Sequence, residues 1–293
     1  MIVTPVDEND SDVVEKIKNS IIEIPNGRGG TQRLALMVVS HSTDEERIAN
    51  VQINIKRKLP RLRELPGLFR QRGEPIAILG GGPSLKDNLD KIKQFKYTMV
   101  AGSPHDFLIK NGVVPSFAVA TDAIPDSLRH YTQPHKDTSY LLASQCPPEL
   151  FDRLEGHKVC LWHFLGQIDE KHFEGEGSNF WGCMVGVNCI QMAFWLGFQE
   201  LHFFGFDCSF TETETHSFDV TEYDDLMSKR TIAVIGEEKN RFWTTGGLLA
   251  QVEHFLEIFR STDGYYLKGY VYGPGLLADV IRQTDMRPWL EAA

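Results

Sequence analysis

Three polar side chains follow apolar runs at points where strands of a sheet are expected to end. Asp122 comes directly after the run FAVAT, Asp207 follows HFFGF, and His216 lies beyond Asp207 in a polar, acidic loop. Carboxylates in such positions can hold a metal ion on nucleotide phosphates, and a histidine flanked by carboxylates can act as a general base. The sequence therefore predicts Asp122 and Asp207 as catalytic and Mg²⁺-binding residues and His216 as a catalytic base. The alternative is that all three are ordinary turn or surface residues.

A glycine-rich turn supplies a candidate phosphate site. Segment 74–85 reads EPIAILGGGPSL; its apolar run predicts a strand, and the spacing after Ser84 predicts a helix. Ser84 with Asp87 three residues later matches a capping box. The first turn of a helix offers free N–H groups, and glycines allow an anion to approach the backbone. The predicted phosphate-binding residues are Gly80, Gly81, Gly82, Pro83 and Ser84.

This turn differs from the two common nucleotide motifs. A dinucleotide fingerprint requires a third glycine where the chain has Leu85, and no Gly-Lys-Ser/Thr follows as in a Walker A loop. A tight turn that binds nothing is the alternative. Ser103, at the end of the next predicted strand, is a further nucleotide-binding candidate. Ser178 and Asn179 precede a long apolar helix, where they either cap that helix or contact the nucleotide.

Strand and helix signals alternate from Glu74 onwards. This order predicts an α/β fold with a Rossmann-like parallel sheet and helices on both faces. Ligands of such sheets bind beyond the carboxyl ends of the strands, where the glycine turn, Ser103, Asp122 and Asp207 all fall. The acidic stretch from residue 209 to 240 has the composition of a mobile lid.

Three regions are expected along the chain. Residues 1–65 form a small N-terminal accessory α/β region, because Pro60 and Pro66 break the connection to the main domain. Residues 66–285 form the nucleotide-binding domain, and residues 286–293 form a C-terminal tail.

Composition narrows the class of protein. The chain has 293 residues and a formal net charge of −10, which argues against nucleic-acid binding and against an anionic membrane surface. The basic residues between positions 56 and 63 are interpreted as a solvated helix face. None of the five cysteines forms a C-x-x-C pair, which favours buried, reduced thiols. No apolar run reaches about 18 residues and no signal pattern is present, so we expect a cytoplasmic protein without a membrane span.

Four segments together resemble a known family. They are GGGPSL at 80–85, GVVPSFAVATD at 112–122, GFQELHFFGFD at 197–207 and Thr-His at 215–216. In this order they are similar to the signatures of the 6-hydroxymethylpterin diphosphokinase (MptE-like) family, and the resemblance covers about residues 50 to 285. It implies a nucleotide-dependent transferase.

Two groups of glycosyltransferases resemble parts of the same pattern. Bacterial Rossmann-type sialyltransferases share the first signature, the Gly-x-Asp block and a C-terminal strand-loop-helix like that at 272–278, and motility accessory transferases also look related. The chain departs from many relatives at Ser116, where they carry Asp, and it lacks the paired tyrosines of the sialyltransferases. The resemblance therefore implies either ATP or a CMP-sugar as the donor substrate.

Three functions follow as hypotheses. In the first, the glycine turn holds ATP, Asp122 and Asp207 hold Mg²⁺, and His216 orients or deprotonates an acceptor hydroxyl during pyrophosphoryl transfer. In the second, the same turn holds the leaving phosphate of a CMP-activated acidic sugar, with His216 as the base and little need for metal. The third is a non-catalytic nucleotide-binding protein. We expect a nucleotide and a small acceptor as partners, with homo-oligomer formation left open.

Overall fold

An eight-stranded sheet, in which every pair of neighbours is parallel, forms the centre of the protein, in the strand order β12-β11-β8-β3-β4-β5-β6-β7. The computed structural model describes residues 42–65, 67–165, 168–182, 184–219, 240–261, 266–284 and 290–293, and the backbone of strands β1, β2 and β9. The strands in chain order are β1 (Ile21–Pro25), β2 (Thr31–Ala35), β3 (Ile76–Leu79), β4 (Tyr97–Ala101), β5 (Phe117–Ala120), β6 (Ser139–Ala143), β7 (Lys158–Trp162), β8 (Glu200–Phe204), β9 (Thr231–Ile235), β10 (Asn240–Thr244), β11 (Lys268–Val271) and β12 (Leu290–Ala292).

The sheet confirms the predicted Rossmann-like α/β fold. All four residues of β3 are buried, as expected of a central parallel strand covered on both faces. The helices in chain order are α1 (Asp44–Asn54), α2 (Leu89–Ile92), α3 (His105–Lys110), α4 (Pro148–Arg153), α5 (Val185–Trp195), α6 (Gly246–Arg260) and α7 (Leu276–Gln283). Two antiparallel pairs, β1 with β2 and β9 with β10, lie outside the main sheet.

The order of the strands reverses between β3 and β8. From β3 the chain adds β4 to β7 on one side, and then adds β8, β11 and β12 on the other side. In doubly wound sheets this switch point opens a crevice at the carboxyl ends of the strands, where ligands bind. The glycine-rich turn follows β3 and Asp207 follows β8, so both flank the crevice.

The helix predicted after Ser84 has a different form. A 3₁₀ helix runs over Pro83–Asn88, and only one α-helical turn, α2, follows it. The predicted capping box is wrong, because the cap residue is Gly82, which has no side chain to bond the first turn. Instead, the Asn88 side-chain amide donates to the Ser84 carbonyl at 2.8 Å. In an α-helix this carbonyl would accept the backbone N–H of Asn88, so the side chain competes with the helical hydrogen bond.

Both ends of the chain contribute to the main domain. Asn50 of α1 donates to the carbonyls of Ala123 and Gln145, at 3.1 and 2.9 Å, and Asn54 bonds two more carbonyls after β6. Helix α1 therefore covers the carboxyl ends of β5 and β6. At the other end of the chain, the predicted tail includes β12, which pairs with β11.

Two further expectations concern the state of the cysteines and the presence of a membrane-spanning helix. Four of the cysteines are buried with free thiols, whereas Cys183 lies outside the described residues. Within the described ranges, no helix is both long and apolar enough to span a bilayer.

Candidate functional site

The three glycines of the turn after β3 have different surroundings. Gly80 donates to the carbonyl of Phe204 at 2.8 Å, and a Cβ on Gly80 would lie 2.5 Å from the Gly205 carbonyl oxygen. A Cβ on Gly82 would overlap the carboxylate of Asp207. Gly80 and Gly82 therefore allow β3 and β8 to approach closely, whereas Gly81 faces the opposite way.

Asp207 closes one side of this turn. Its side chain is buried, with 5% of the residue exposed, and accepts a hydrogen bond from the Ser84 N–H at 3.0 Å. Gly273 and Gly275 pack against it so closely that a side chain on Gly275 would overlap the Asp207 backbone. Burial raises the pKa of Asp207, and the Ser84 N–H opposes this rise. The carboxylate of Asp207 thus occupies the Ser84 amide, the position that the sequence predicts for a phosphate.

The segment after β8 folds back over the turn. The Ser217 hydroxyl lies 2.6 Å from the Gly82 carbonyl oxygen and accepts the Lys86 N–H at 3.1 Å. The Lys86 ammonium pairs with Glu214 at 2.6 Å. In the described residues 209–219, the predicted lid is therefore bonded to the turn. Most of its remainder, including 220–230 and 236–239, lies outside the described residues.

The other side of the turn is partly exposed and is bordered by polar residues and by the ring of Phe218, which lies 3.5 Å from the Cβ position of Gly81. A Cβ on Gly81 would lie 3.0 Å from the His216 ring and 3.1 Å from the Ser103 hydroxyl, so these three residues are neighbours. The N–H groups of Gly81 and Ser103 donate to no other residue that the structure describes. Two backbone donors without a described partner and one hydroxyl thus lie near one another where β3 and β4 end, a combination that suits an oxyanion.

The structure adds two basic residues that the sequence analysis missed. Arg129 and His130 lie on the 3₁₀ helix Pro125–Tyr131, shortly after Asp122. Burial and then the positive charge of Arg129 lower the pKa of His216 to about 4. The same two causes, followed by His216, lower the pKa of His130 to about 4. Both imidazoles are therefore neutral at pH 7; Nε of Arg129 lies 3.4 Å from Nε2 of His130, and the charge of Arg129 also acts on His216. The only signal in the sequence was a basic pair soon after a strand end.

The two predicted metal ligands lie on different parts of the sheet. Asp122 follows β5 and is exposed, whereas Asp207 follows β8, three strands away. Strand spacings of about 4.8 Å separate the two strand ends by roughly 14 Å, too far for one ion to contact both carboxylates. No cluster of three or more His, Cys, Asp or Glu side chains suited to a metal occurs in the part of the chain that the structure describes. Asp122 alone fits an ion that is otherwise held by phosphate oxygens.

Ser178 and Asn179 lie away from the glycine turn. Asn179 bonds the backbone of His163, just after β7, and Ser178 bonds Glu170. Helix α5 begins at Val185, so neither residue caps it, and that part of the prediction is wrong. Since β7 is four strands from β3, Asn179 and the glycine turn are separated by roughly 19 Å along the sheet edge.

Solved structures with similar folds are glycosyltransferases. The MAf glycosyltransferase from Magnetospirillum magneticum AMB-1 superposes with a TM-score of 0.58 and 17% sequence identity, over 78% of this chain and 36% of that longer chain. The chain therefore spans about a third of that protein, and the likeness describes the fold alone.

More distant structures include two sialyltransferases. A mammalian sialyltransferase in complex with Gal-beta-1-3GalNAc-ortho-nitrophenol has 12% identity and a TM-score of 0.35, covering 65% of this chain and 83% of that chain. CstII from Campylobacter jejuni, in complex with cytidine-5'-monophosphate, has 12% identity and a TM-score of 0.31, covering 76% and 86%. Likenesses of this size carry no functional argument.

Sequence comparison is more specific. No curated protein matches the chain. A family model described as 6-hydroxymethylpterin diphosphokinase MptE-like matches residues 46–213, which include the glycine turn, Asp122 and Asp207. His216 lies just beyond the matched range. The match supports a transferase. Because it covers more than half of the chain, the protein belongs to the MptE-like family.

Proposed function

We propose that the protein is a nucleotide-dependent transferase that moves a pyrophosphoryl group from ATP to the hydroxyl of a small acceptor. One observation carries this proposal. Gly81 and Ser103, whose N–H groups have no partner among the described residues, lie next to His216, and the charge of Arg129 acts on the His216 ring. Backbone donors together with a cation form the type of site that binds phosphates.

The histidines would respond to a bound phosphate. In the free protein, burial and Arg129 keep the pKa values of His130 and His216 at about 4. A phosphate brings negative charge beside them and partly neutralises Arg129, so it raises both pKa values. His216 then moves towards the range in which an imidazole accepts a proton efficiently at neutral pH.

The proposed reaction uses in-line displacement. The oxygen of the acceptor hydroxyl attacks the β-phosphorus of ATP, and the bond from this phosphorus to the bridging oxygen of the α-phosphate breaks. AMP leaves with the bridging oxygen, and the hydroxyl proton passes to His216. Thr215, whose hydroxyl oxygen lies 3.0 Å from Nδ1 of His216, orients the ring. Alignment and charge neutralisation provide most of the rate acceleration in such transfers.

Asp122 is the proposed protein ligand for Mg²⁺ in this reaction. Mg²⁺ in nucleotide sites is commonly held by one or two carboxylates and by the phosphates themselves. Asp122 is exposed at the end of β5, on the same edge as Gly81 and Ser103. When bound, the ion would supply neutralisation of phosphate charge. Asp207 takes a positioning role instead, through its bond to Ser84.

A second candidate is transfer of an acidic sugar from a CMP donor. The separation of Asp122 from Asp207 favours it, since neutralisation of a leaving phosphate would then depend on Arg129 rather than on an ion between two acids. In that reaction the acceptor oxygen attacks the anomeric carbon, the bond from this carbon to the phosphate oxygen breaks, and CMP leaves. The hydroxyl proton again passes to His216.

Thermal shift with ATP, GTP, CMP and CMP-sialic acid, with and without Mg²⁺, tests the choice of donor. We expect stabilisation by ATP with Mg²⁺, together with AMP release in the presence of a hydroxymethylpterin. Stabilisation by CMP alone, unaffected by EDTA, would select the second candidate. Failure of every nucleotide to bind would exclude both.

The variant Gly81→Ala tests the site itself. Its added methyl would press on His216 and Ser103 and fill the space proposed for phosphate, so nucleotide binding should weaken at least tenfold while the fold persists. Gly247→Ala is the matched control, because a Cβ on Gly247 meets nothing closer than 4.0 Å. Unchanged nucleotide binding by Gly81→Ala would place the phosphate elsewhere.

A further inference from the structure

A cavity lies at the far end of the same sheet edge. It has a volume of about 460 Å³ and is enclosed by the segment 57–64 and the loop 175–179. The segment 57–64 runs beside β7, where the Leu161 N–H donates to the Pro60 carbonyl at 3.0 Å. The polar residues that line the cavity are Arg57, Lys58, Arg61, Arg63, Glu64, His163, Glu176 and Asn179. Four strand spacings, roughly 19 Å, separate it from the glycine turn.

Two of its four basic side chains stabilise the wall of the cavity. The Arg61 guanidinium pairs with Glu176 at 2.7 Å and also donates to three backbone carbonyls. Arg57 pairs with Asp152 at 2.8 Å and bonds the carbonyl of Pro148. Their charges are therefore directed into the protein, where they hold the segment 57–64 in place.

The other two basic side chains have no carboxylate within ion-pair distance among the described residues. Lys58 is exposed and forms no salt bridge there. Arg63 donates to the carbonyl of Ser178 at 2.5 Å, and its guanidinium lies over Gly177. The cavity lining contains four basic and only two acidic side chains, in a chain whose formal net charge is −10. This excess of positive charge is local.

Asn179 adds an unused hydrogen-bond donor. Its side-chain oxygen accepts the His163 N–H at 2.8 Å, which fixes the orientation of the carboxamide. The Nδ2 atom is buried and has no hydrogen-bond partner among the residues that the structure describes. A buried N–H without an acceptor costs about 1–3 kcal/mol, so a ligand oxygen that reaches this atom after a small shift of the loop 175–179 would be stabilising.

We propose that this cavity binds a small oxyanion, the phosphate of a phosphomonoester or the carboxylate of an acidic sugar. Lys58 and Arg63 supply the charge, and the Asn179 amide supplies a directional hydrogen bond. The cavity is large enough for a sugar-sized ligand. This site is separate from the transferase site at Gly81, and its function does not depend on the nucleotide proposed there.

Calorimetric titration of the full chain in chloride-free buffer tests the proposal. The probes are inorganic phosphate and glucuronate, with glucose as the neutral control. We expect one or both anions to bind, no binding of glucose, and an affinity that falls with rising ionic strength. Comparison of the two anions distinguishes phosphate from carboxylate as the recognised group. Absence of binding by both anions would overturn the proposal.

Variants assign the binding to this cavity. Lys58→Gln with Arg63→Gln should weaken anion binding at least tenfold, and Asn179→Asp should abolish it because the new carboxylate repels the ligand. The control, Lys110→Gln with Arg260→Gln, removes two exposed charges at the ends of α3 and α6. Gly81→Ala should leave glucuronate binding intact, whereas inorganic phosphate also binds at the proposed site beside Gly81. Loss of binding in Gly81→Ala, with no change in the Lys58/Arg63 double variant, would place the anion at the glycine turn and overturn the proposal.

Discussion

The two sides of the glycine-rich turn differ in whether their backbone N–H groups are already hydrogen-bonded within the protein. On the β8 side, Asp207 is buried, accepts the Ser84 N–H and is enclosed by three glycines. On the β4 side, Gly81 and Ser103 present N–H groups without partners among the described residues. Both sides belong to one turn and both carry polar residues at strand ends. Among the described residues, a ligand on the β4 side can accept these two N–H groups without displacing a hydrogen bond of theirs, whereas the Ser84 N–H is already bonded to Asp207.

This difference separates structural from functional polar residues. A buried carboxylate that is already hydrogen-bonded contributes to the packing of β3 against β8, since removing it leaves a buried donor unsatisfied. An unsatisfied donor at an open edge costs little, because water reaches it until a ligand arrives. Six variants should show whether the two sides behave in these different ways.

The largest effect is expected from Gly275→Ala on the closed side. The added methyl would overlap the Asp207 backbone, so one of the two segments must move, and we expect a loss of more than about 3 kcal/mol in the free energy of unfolding. Chemical denaturation measures this loss. Gly81→Ala on the open side should lose less than about 1 kcal/mol, since flexible side chains can yield. Equal losses of unfolding free energy in Gly275→Ala and Gly81→Ala would show that the two sides of the turn are packed equally tightly.

Asp207 substitutions should separate packing from charge. Asp207→Ala leaves the buried Ser84 N–H without an acceptor and should lower the free energy of unfolding by about 2–3 kcal/mol. Asp207→Asn keeps an acceptor oxygen and removes a carboxylate whose pKa burial already raises, so its stability should equal that of the parent within about 1 kcal/mol. If Asn proves as destabilising as Ala, the charge itself is required.

The two sides should also respond to pH with opposite sign. Folding lowers the pKa of His216 from 6.5 to about 4, so the unfolded chain binds more protons between these values, and stability falls as the pH falls through this window. Folding raises the pKa of Asp207, which makes stability fall as the pH rises above 3.8.

The variant His216→Gln measures the first of these contributions. Loss of one titrating group should reduce the slope of unfolding free energy against pH by up to about 1.4 kcal/mol per pH unit between pH 4.5 and 6. Denaturation at several pH values provides the slope. His172→Gln, at a histidine on the 3₁₀ helix Glu170–Phe173, is the control. A slope that stays unchanged in His216→Gln would mean that His216 is not held neutral by the fold.

The smallest effect is expected from Arg129→Gln. Loss of the guanidinium removes a charge that lowers the pKa of His216, so this pKa should rise while burial keeps it below 6.5. Two-dimensional NMR of the imidazole measures the shift. Nucleotide binding should weaken about fivefold, or roughly 1 kcal/mol. A His216 pKa that falls in the variant would contradict the proposed proximity of Arg129.

Much of the fold could be predicted from local patterns. Short apolar runs before Gly80, Ser103, Asp122 and Asp207 predicted strands that the structure confirms. The carboxyl ends of parallel strands share one edge, so these residues were also expected at that edge. The helix after Ser84 was predicted less well, because the Asn88 side chain competes with the backbone for the Ser84 carbonyl.

The roles of the site residues depended on distant contacts. Asp207 bonds Ser84 across a sequence separation of 123 residues, because β8 lies next to β3 in the sheet. No spacing near either residue indicates that neighbourhood. For the same reason, the sequence around Asn179 suggested a helix cap. In the structure Asn179 lines a basic cavity together with Arg63, which is 116 residues earlier.

The sequence by itself determined the alternation of strands and helices, the parallel sheet and the edge at which chemistry can occur. These follow from the periodicity of apolar residues, which depends only on near neighbours in the chain. The tertiary structure decided which polar groups at that edge are satisfied and which remain open. That depends on strand order and on the approach of segments far apart in sequence, and it is why Gly81 and Ser103, rather than Ser84 and Asp207, form the proposed phosphate site.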